Sequence, residues 1–186
     1  MGPSLQAIEE IHLTDATHLV DISSLAELPR LSVLTIECDT PAPAYQSWVP
    51  RVAEPLTGMG GLSTLQELAI SCVPIGNLDE VSRLVNLRCL RLCQGSAPDD
   101  ISALRSMTNL RVLDLSMGYI SGRSIDLEPL YDLGYLSELQ LPSCWYRGWA
   151  DHRTPGPSSD SADPRHGPEL GLLRALTSTN VYNRLR

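Results

Sequence analysis

Apolar residues recur along the chain at spacings of two and three. Between residues 85 and 115 the unit L-x-x-L-x-L occurs twice, as Leu87-Leu90-Leu92 and as Leu110-Leu113-Leu115. Its L-x-L part, with apolar residues two apart, predicts a short strand with one face turned inward. The residues between the two units, Ile101, Leu104 and Met107, are three apart, which is typical of a helical or 3-10 turn. The pattern predicts strand, loop, helical turn and strand again.

The same unit occurs six times between residues 8 and 141. Its last strand positions are residues 13, 36, 70, 92, 115 and 141, and they are separated by 23, 34, 22, 23 and 26 residues. A strand and a turn repeated at a nearly fixed period predict a solenoid, in which stacked units bury one continuous core.

Residues that can cap a helix precede several of the predicted turns. These residues are Asp21, Asn77, Asp100 and Asp126. A side-chain oxygen at such a position accepts a hydrogen bond from a free N–H group of the first turn. Their recurrence at equivalent places supports a repeated structure.

Three segments carry a resemblance to a known class of repeat. DISSLAELPRLSVLTI (21–36), DISALRSMTNLRVLDL (100–115) and DLEPLYDLGYLSELQL (126–141) resemble bacterial leucine-rich repeats of the internalin-like kind, with about 22 residues each. The resemblance implies an α/β leucine-rich repeat solenoid. It would be a right-handed horseshoe with short parallel strands on the concave face and short helical or 3-10 turns on the convex face. It also implies a non-enzymatic module that binds another protein.

One position departs from that class of repeat. Its members usually have Asn three residues after the last strand leucine, where the amide satisfies buried backbone groups. Here the residues are Ala16, Asp39, Val73, Gly95, Gly118 and Cys144. We therefore expect a less regular turn on that side of the coil.

The composition divides the chain into three parts. Residues 1–148 form the predicted repeat domain of about six repeats. Residues 149–168 are rich in Pro, Ser and Asp and are predicted to be a flexible loop. In residues 169–186, Leu170, Leu173 and Leu176 again step by three, which predicts a C-terminal capping helix or a degenerate repeat.

Three intervals between a strand and the next turn are longer than the others, at 36–56, 115–127 and 141–170. All three follow a strand, so the solenoid would project them from one rim, and insertions confined to one side often mark a binding surface. They contain the candidate partner-binding residues Tyr45, Trp48, Tyr119, Trp145, Tyr146 and Trp149. Trp and Tyr are frequent interface anchors. The alternative is that these side chains fold back and pack locally against the flank.

The predicted concave face is the other candidate binding surface. Residues between the strand leucines point outward, and one such row is His12, Thr35, Ala69, Arg91, Asp114 and Gln140. The surface is mixed and mildly acidic, which suits a protein partner with a basic patch. Arg91 and Asp114 are its candidate partner-binding residues.

Charge and cysteine content narrow the function classes. The formal net charge of -8 disfavours a nucleic-acid partner, because phosphate binding needs a basic surface. The sequence has no signal-peptide pattern and no apolar run long enough to span a membrane. An odd number of cysteines, five, favours free thiols and therefore the cytoplasm.

Catalytic and metal-binding motifs are absent from the sequence. Cys89 and Cys93 are four residues apart, whereas zinc sites usually have C-x-x-C pairs with further ligands nearby. No phosphate-binding, nucleophile-elbow or zinc-protease motif occurs. We therefore predict no catalytic residues, no metal and no cofactor.

Two kinds of binding protein remain as hypotheses. The first is a free-standing protein interaction module with a protein partner of unknown identity. The second is the ligand-sensing C-terminal repeat part of a larger signalling NTPase-type protein. Leu5 and Ile8 would leave an apolar N-terminal end exposed, and an uncapped end of that kind would contact another chain or domain.

Overall fold

The computed structural model describes residues 5–16, 18–37, 55–71, 73–93, 100–115 and 127–141. Most of the predicted repeat domain lies within these ranges. Residues 149–168 and 169–186 lie outside them, so the predicted division of the chain into three parts stays a prediction.

Six parallel strands form one sheet in chain order. They are β1 (Glu10–Leu13), β2 (Val33–Glu37), β3 (Glu67–Ser71), β4 (Cys89–Cys93), β5 (Val112–Asp114) and β6 (Glu138–Gln140). The register aligns equivalent residues of consecutive repeats, such as Leu34, Leu68, Leu90, Leu113 and Leu139. The predicted strands and their alignment are therefore confirmed.

Short 3-10 helices return the chain on the opposite, convex side. They are η1 (Leu5–Ala7), η2 (Ser23–Glu27), η3 (Met59–Gly61), η4 (Val81–Arg83), η5 (Ser102–Ser106) and η6 (Glu128–Asp132). The ladder of apolar residues three apart has a direct cause. Leu104 donates its N–H to the carbonyl of Ile101 at 3.0 Å, and Met107 donates to Leu104 at 2.9 Å. A turn with three residues per turn places every third side chain on the inner side.

The core is a stack of aliphatic side chains between the sheet and the 3-10 helices. Leu34, Leu68, Leu90 and Leu113 are fully buried. Ala16 and Val73, at positions where this class of repeat usually has Asn, are buried as apolar residues in the same cluster. The backbone of that corner is bonded without an amide, since Ala16 donates its N–H to the carbonyl of Glu37 at 3.1 Å. The expected irregularity at the other equivalent positions falls on residues outside the described ranges.

A ladder of side-chain hydrogen bonds lies at the opposite corner, just before the strands. Asn86 donates from its amide to the carbonyl of Ser63, and Asn109 donates to Val85, both at 2.8 Å. Thr64 fills the equivalent place one repeat earlier and donates to Leu31 at 2.7 Å. Each bond joins one repeat to the preceding repeat, so polar side chains support the stack at this corner.

The predicted caps are confirmed at three of four positions. Asp21, Asn77 and Asp100 each accept a hydrogen bond from the N–H two residues later, at 2.8 to 2.9 Å. The N–H and hydroxyl of Ser102 stabilise the Asp100 carboxylate and hold its pKa below the usual range. Asp126 lies outside the described residues.

The long interval before the third repeat does not interrupt the stack. Thr57 donates its N–H to the carbonyl of Val20 at 2.9 Å, and Ile22 donates to Thr57 at 3.1 Å. Gly58 follows with a φ of 85°, and a Cβ there would collide with the backbone of Ser23. Glycine is needed at this place both for its backbone conformation and for the close approach.

The first described repeat is less covered than the others. Leu5 is 45% exposed, and Ile8, Ile11 and Leu13 are half-buried, whereas the equivalent leucines of β3 and β4 are fully buried. The expected apolar exposure at this end is present, and the predicted contact with another chain or domain stays a prediction. No helix in the described part of the chain is long and apolar enough to cross a membrane.

Replacement of one stacked leucine tests the register. Leu90→Ala and Leu113→Ala should each lower the free energy of unfolding by about 2–5 kcal/mol, because each leaves a cavity in a fully buried stack. The measurement is chemical denaturation followed by circular dichroism. Val85→Ala is the control, since Val85 is 66% exposed and should change stability by less than about 0.5 kcal/mol. Equal stability of the leucine variants and the wild type would contradict this register.

The cap at Asp100 should give a pH-dependent contribution to stability. The pKa of this carboxyl is lowered in the folded state, so the stabilisation is present above the ordinary value of about 3.9 and is lost as the pH falls through the lower folded value. Asp100→Ala should therefore lower the melting temperature at pH 7, and the difference from wild type should shrink below about pH 4. Asp79→Ala, an exposed aspartate beside an equivalent cap, is the control. If the difference in melting temperature between Asp100→Ala and wild type does not change with pH, the Asp100 carboxylate is not its source.

Candidate functional site on the concave strand face

The register builds one continuous row of outward positions across the sheet. His12, Thr35, Ala69, Arg91, Asp114 and Gln140 are aligned as register partners on consecutive strands. This is the predicted row in the predicted order. Its members differ in exposure, and that difference decides which side chains a partner can reach.

Arg91 is the exposed cation of this face. Its register neighbours are Ala69 on β3 and Asp114 on β5. No ion pair joins its guanidinium to a carboxylate within the described ranges. The Arg91 side chain is exposed, so it can contact a partner.

Asp114 is less accessible than the alternation of the strand predicted. It is only 8% exposed. Its register neighbours are Arg91 and Gln140, and both have longer side chains. The carboxylate therefore serves a partner less directly than the sequence predicted, and it contributes mainly to the local charge.

Cys89 lies two residues before Arg91 on the same side of β4 and is 6% exposed. Burial raises the pKa of its thiol. The negative charges of Glu67, Glu138 and Asp114 raise that pKa further, and Arg91 opposes them. Thiolate formation is disfavoured, so Cys89 has the properties of a structural residue and not of a nucleophile. Cys89 is a free thiol.

The remaining charged residues of the face are acidic. Glu10, Glu67 and Glu138 occupy equivalent positions at the starts of β1, β3 and β6, and Glu37 follows on β2. Glu10 is within 2.7 Å of the Nε2 atom of His12. Among the described residues no group of three or more His, Cys, Asp or Glu side chains has the geometry to hold a metal ion.

Two arginines missed by the sequence analysis lie at the beginning of the strands. Arg88 and Arg111 immediately precede β4 and β5, and both are exposed. Tyr135, 67% exposed, lies at the same corner before β6. The signal was available in the alignment of the repeats, because Arg88 and Arg111 occupy one position. Each follows the first leucine of its unit and lies one residue before its strand, so the alternation within the strand does not indicate it.

The six aromatic candidates of the rim lie outside the described residues. They are Tyr45, Trp48, Tyr119, Trp145, Tyr146 and Trp149. Glu37, Leu115 and Leu141 are the last described residues before the three long intervals, and they lie at the same edge of the parallel sheet. Binding by the aromatic rim stays a prediction.

The burial of Cys89 predicts a difference in thiol reactivity. Iodoacetamide should modify Cys89 more slowly than the half-buried Cys93 at pH 8, because Cys89 has a raised pKa and little access to solvent. Peptide mapping by mass spectrometry measures the two sites separately. In denaturant both cysteines should react at similar rates. Faster modification of Cys89 in the folded protein would contradict its placement.

Comparisons with known proteins find similarity to solved structures. No protein-family model matches the sequence, and no curated protein matches it. Similar solved structures include an internalin of Listeria monocytogenes, with 25% identity and a TM-score of 0.46 over 67% of this chain and 32% of that chain. Internalin C2 of the same organism has 26% identity and a TM-score of 0.48, over 75% of this chain and 53% of the other.

A leucine-rich repeat protein of Leptospira interrogans has 16% identity and a TM-score of 0.46, over 75% of this chain and 38% of that chain. The chain thus spans less than two thirds of the length of each of these three proteins. The assignment rests on the features of the chain itself, namely the six parallel strands in sequential order, the aligned leucines and the 3-10 turns. By these features the described part of the chain has the fold of a leucine-rich repeat solenoid.

Proposed function

We propose that this chain is a non-enzymatic module that binds a protein partner through its concave strand face, with Arg91 at the centre of the contact. The observation that carries the proposal is the single row of outward side chains across six parallel strands, in which Arg91 is exposed and has no ion pair with a described residue. Such a row presents many contact positions on a rigid frame. Extended concave surfaces are the binding surfaces of solenoid proteins in general.

The charges on the face favour a particular kind of partner. Three glutamates lie one, two and three strands away from Arg91, namely Glu67 on β3, Glu138 on β6 and Glu10 on β1. A partner with a basic patch around one acidic or hydrogen-bonding group would match this arrangement. Complementary charge of this kind mainly controls the association rate and the choice of partner.

The absence of enzymatic activity is part of the proposal. The buried thiol with a raised pKa, Cys89, is unsuited to nucleophilic chemistry. The free thiol of Cys89 is consistent with a reducing compartment, and we propose a cytoplasmic location. The aromatic rim is the alternative contact surface of the same module.

A charge reversal at the centre of the face tests the proposal. Wild type and the Arg91→Glu variant would be used to capture partners from a lysate of the source organism, and a captured protein would then be purified and titrated by calorimetry. Arg91→Glu should weaken this direct binding at least about tenfold, because it adds a carboxylate to the acidic face and removes the Arg91 cation.

Two further variants identify the surface. Arg83→Glu is the matched control, since it makes the same charge change on the convex helix η4 and should leave the affinity unchanged within about twofold. The triple variant Trp48→Ala/Trp145→Ala/Trp149→Ala tests the rim after circular dichroism has confirmed its fold. If the tryptophan variant loses binding while Arg91→Glu binds with full affinity, the contact lies on the rim and not on the concave face.

A further inference from the structure

Arg88 and Arg111 stand directly beside each other at the N-terminal edge of the sheet. Arg111 donates its backbone N–H to the carbonyl of Arg88 at 2.8 Å. Neighbouring strands lie about 4.8 Å apart, so the two arginine side chains branch from neighbouring backbone positions. The residues at the equivalent position on either side are uncharged. Arg88 donates to the carbonyl of Gln66, and Ser137 donates to that of Arg111, both at 2.8 Å.

Arg88 and Arg111 differ from Arg30 and Arg105 in their charge environment. Arg30 pairs with Glu9 at 2.8 Å, and Arg105 pairs with Asp132 at 2.9 Å. Neither Arg88 nor Arg111 forms an ion pair with a residue in the described ranges. Two like charges side by side on neighbouring strands repel each other. In a chain with a formal net charge of -8, this local pair of cations is suited to an acidic ligand.

Tyr135 extends this edge by one repeat. It occupies the place of Asn86 and Asn109 in the sixth repeat, immediately before the first leucine of the strand unit. Those two asparagines donate to the backbone of the preceding repeat, whereas the Tyr135 ring is 67% exposed. Tyr and Arg are among the residues enriched at the energetic centres of protein interfaces.

An open groove of about 510 Å³ continues the edge in the other direction from Arg88. Polar side chains line it, among them Thr64, Gln66 and Asn86, and its far end is the ion pair between Arg30 and Glu9. The groove and the two arginines together form a path that crosses the strands. This path suits an extended chain segment whose backbone meets polar groups.

We propose that Arg88, Arg111 and Tyr135, together called the arginine edge, dock a short acidic and extended segment of the protein partner. Two carboxylates of the segment pair with the two guanidinium groups, and an apolar side chain packs on the ring of Tyr135. The inference rests on the proposed function, since it specifies the chemistry of a protein partner. The glutamates of the neighbouring concave face, Glu67 and Glu138, repel negative charge and thereby confine such a segment to the edge.

The backbone of the edge is fixed before any ligand binds. The carbonyl of Arg88 accepts two N–H groups of the next repeat, from Arg111 at 2.8 Å and Val112 at 3.0 Å, and Asn109 ties the same turn to the carbonyl of Val85. Only the ends of long side chains have to be ordered on binding. A preformed frame of this kind lowers the entropic cost of association.

The experiment uses a fluorescent peptide of alternating glutamate and glycine that ends in leucine, followed by anisotropy with the full chain. The wild type should bind it, and the affinity should fall as salt is added. Arg88→Gln/Arg111→Gln should weaken binding at least about tenfold, and Tyr135→Ala about threefold or more. Arg83→Gln/Arg105→Gln removes two convex arginines, and Tyr131→Ala removes another exposed tyrosine. Both controls should retain the affinity within about twofold.

Several outcomes would overturn the inference. The first is that the wild type does not bind the peptide. The second is that the edge variants and the control variants lose affinity equally. The third is that the wild type binds a peptide with glutamine in place of glutamate as tightly as the acidic peptide. Binding of oligo(dT) with the same dependence on the edge arginines would show a general polyanion site instead. A captured partner that is lost by Arg91→Glu and kept in full by the edge variants would leave the proposed function intact and refute the arginine edge alone.

Discussion

Each repeat of this solenoid places two backbone N–H groups on a single carbonyl of the repeat before it. The accepting carbonyls belong to equivalent residues: Glu9, Ser32, Gln66, Arg88 and Arg111. The bonds are 2.8 to 3.1 Å long and stand just before each strand. They fix the register, and the register decides which side chains are inside, because a shift by one residue would turn every leucine to the solvent. The leucine stack and the two proposed binding surfaces depend on this alignment.

The interior of the fold was predictable because its constraints act on spacing. Each repeat needs an apolar residue at the same buried position, so such residues recur at a fixed spacing. The spacing alone therefore predicts that Leu90 and Leu113 are buried. The caps were predictable for a similar reason. Asp21 and Asp100 satisfy the same free N–H group of equivalent turns, and few side chains can do so.

The surface was less predictable because exposure depends on neighbours that belong to other repeats. The alternation along β4 and β5 predicted that Cys89 and Asp114 would be exposed on the outward side, yet both are almost fully buried. The side-chain ladder of Thr64, Asn86 and Asn109 was also missed. Each of these residues stands next to a strand leucine, but its partner is a carbonyl more than twenty residues earlier. The distance along the chain hides such a contact until the repeats are aligned.

The same alignment separates two charge environments that the total charge conceals. The concave face collects Glu10, Glu67 and Glu138 at one position, and the arginine edge collects Arg88 and Arg111 one residue earlier. These three glutamates and two arginines lie outside the leucine stack, so their charges do not enter the core. Because the backbone beneath them is fully bonded, opposite charges can stand one residue apart and still point in fixed directions. A partner that matches both has to bind in one orientation only, and this is how a regular frame made of similar repeats can give specific recognition.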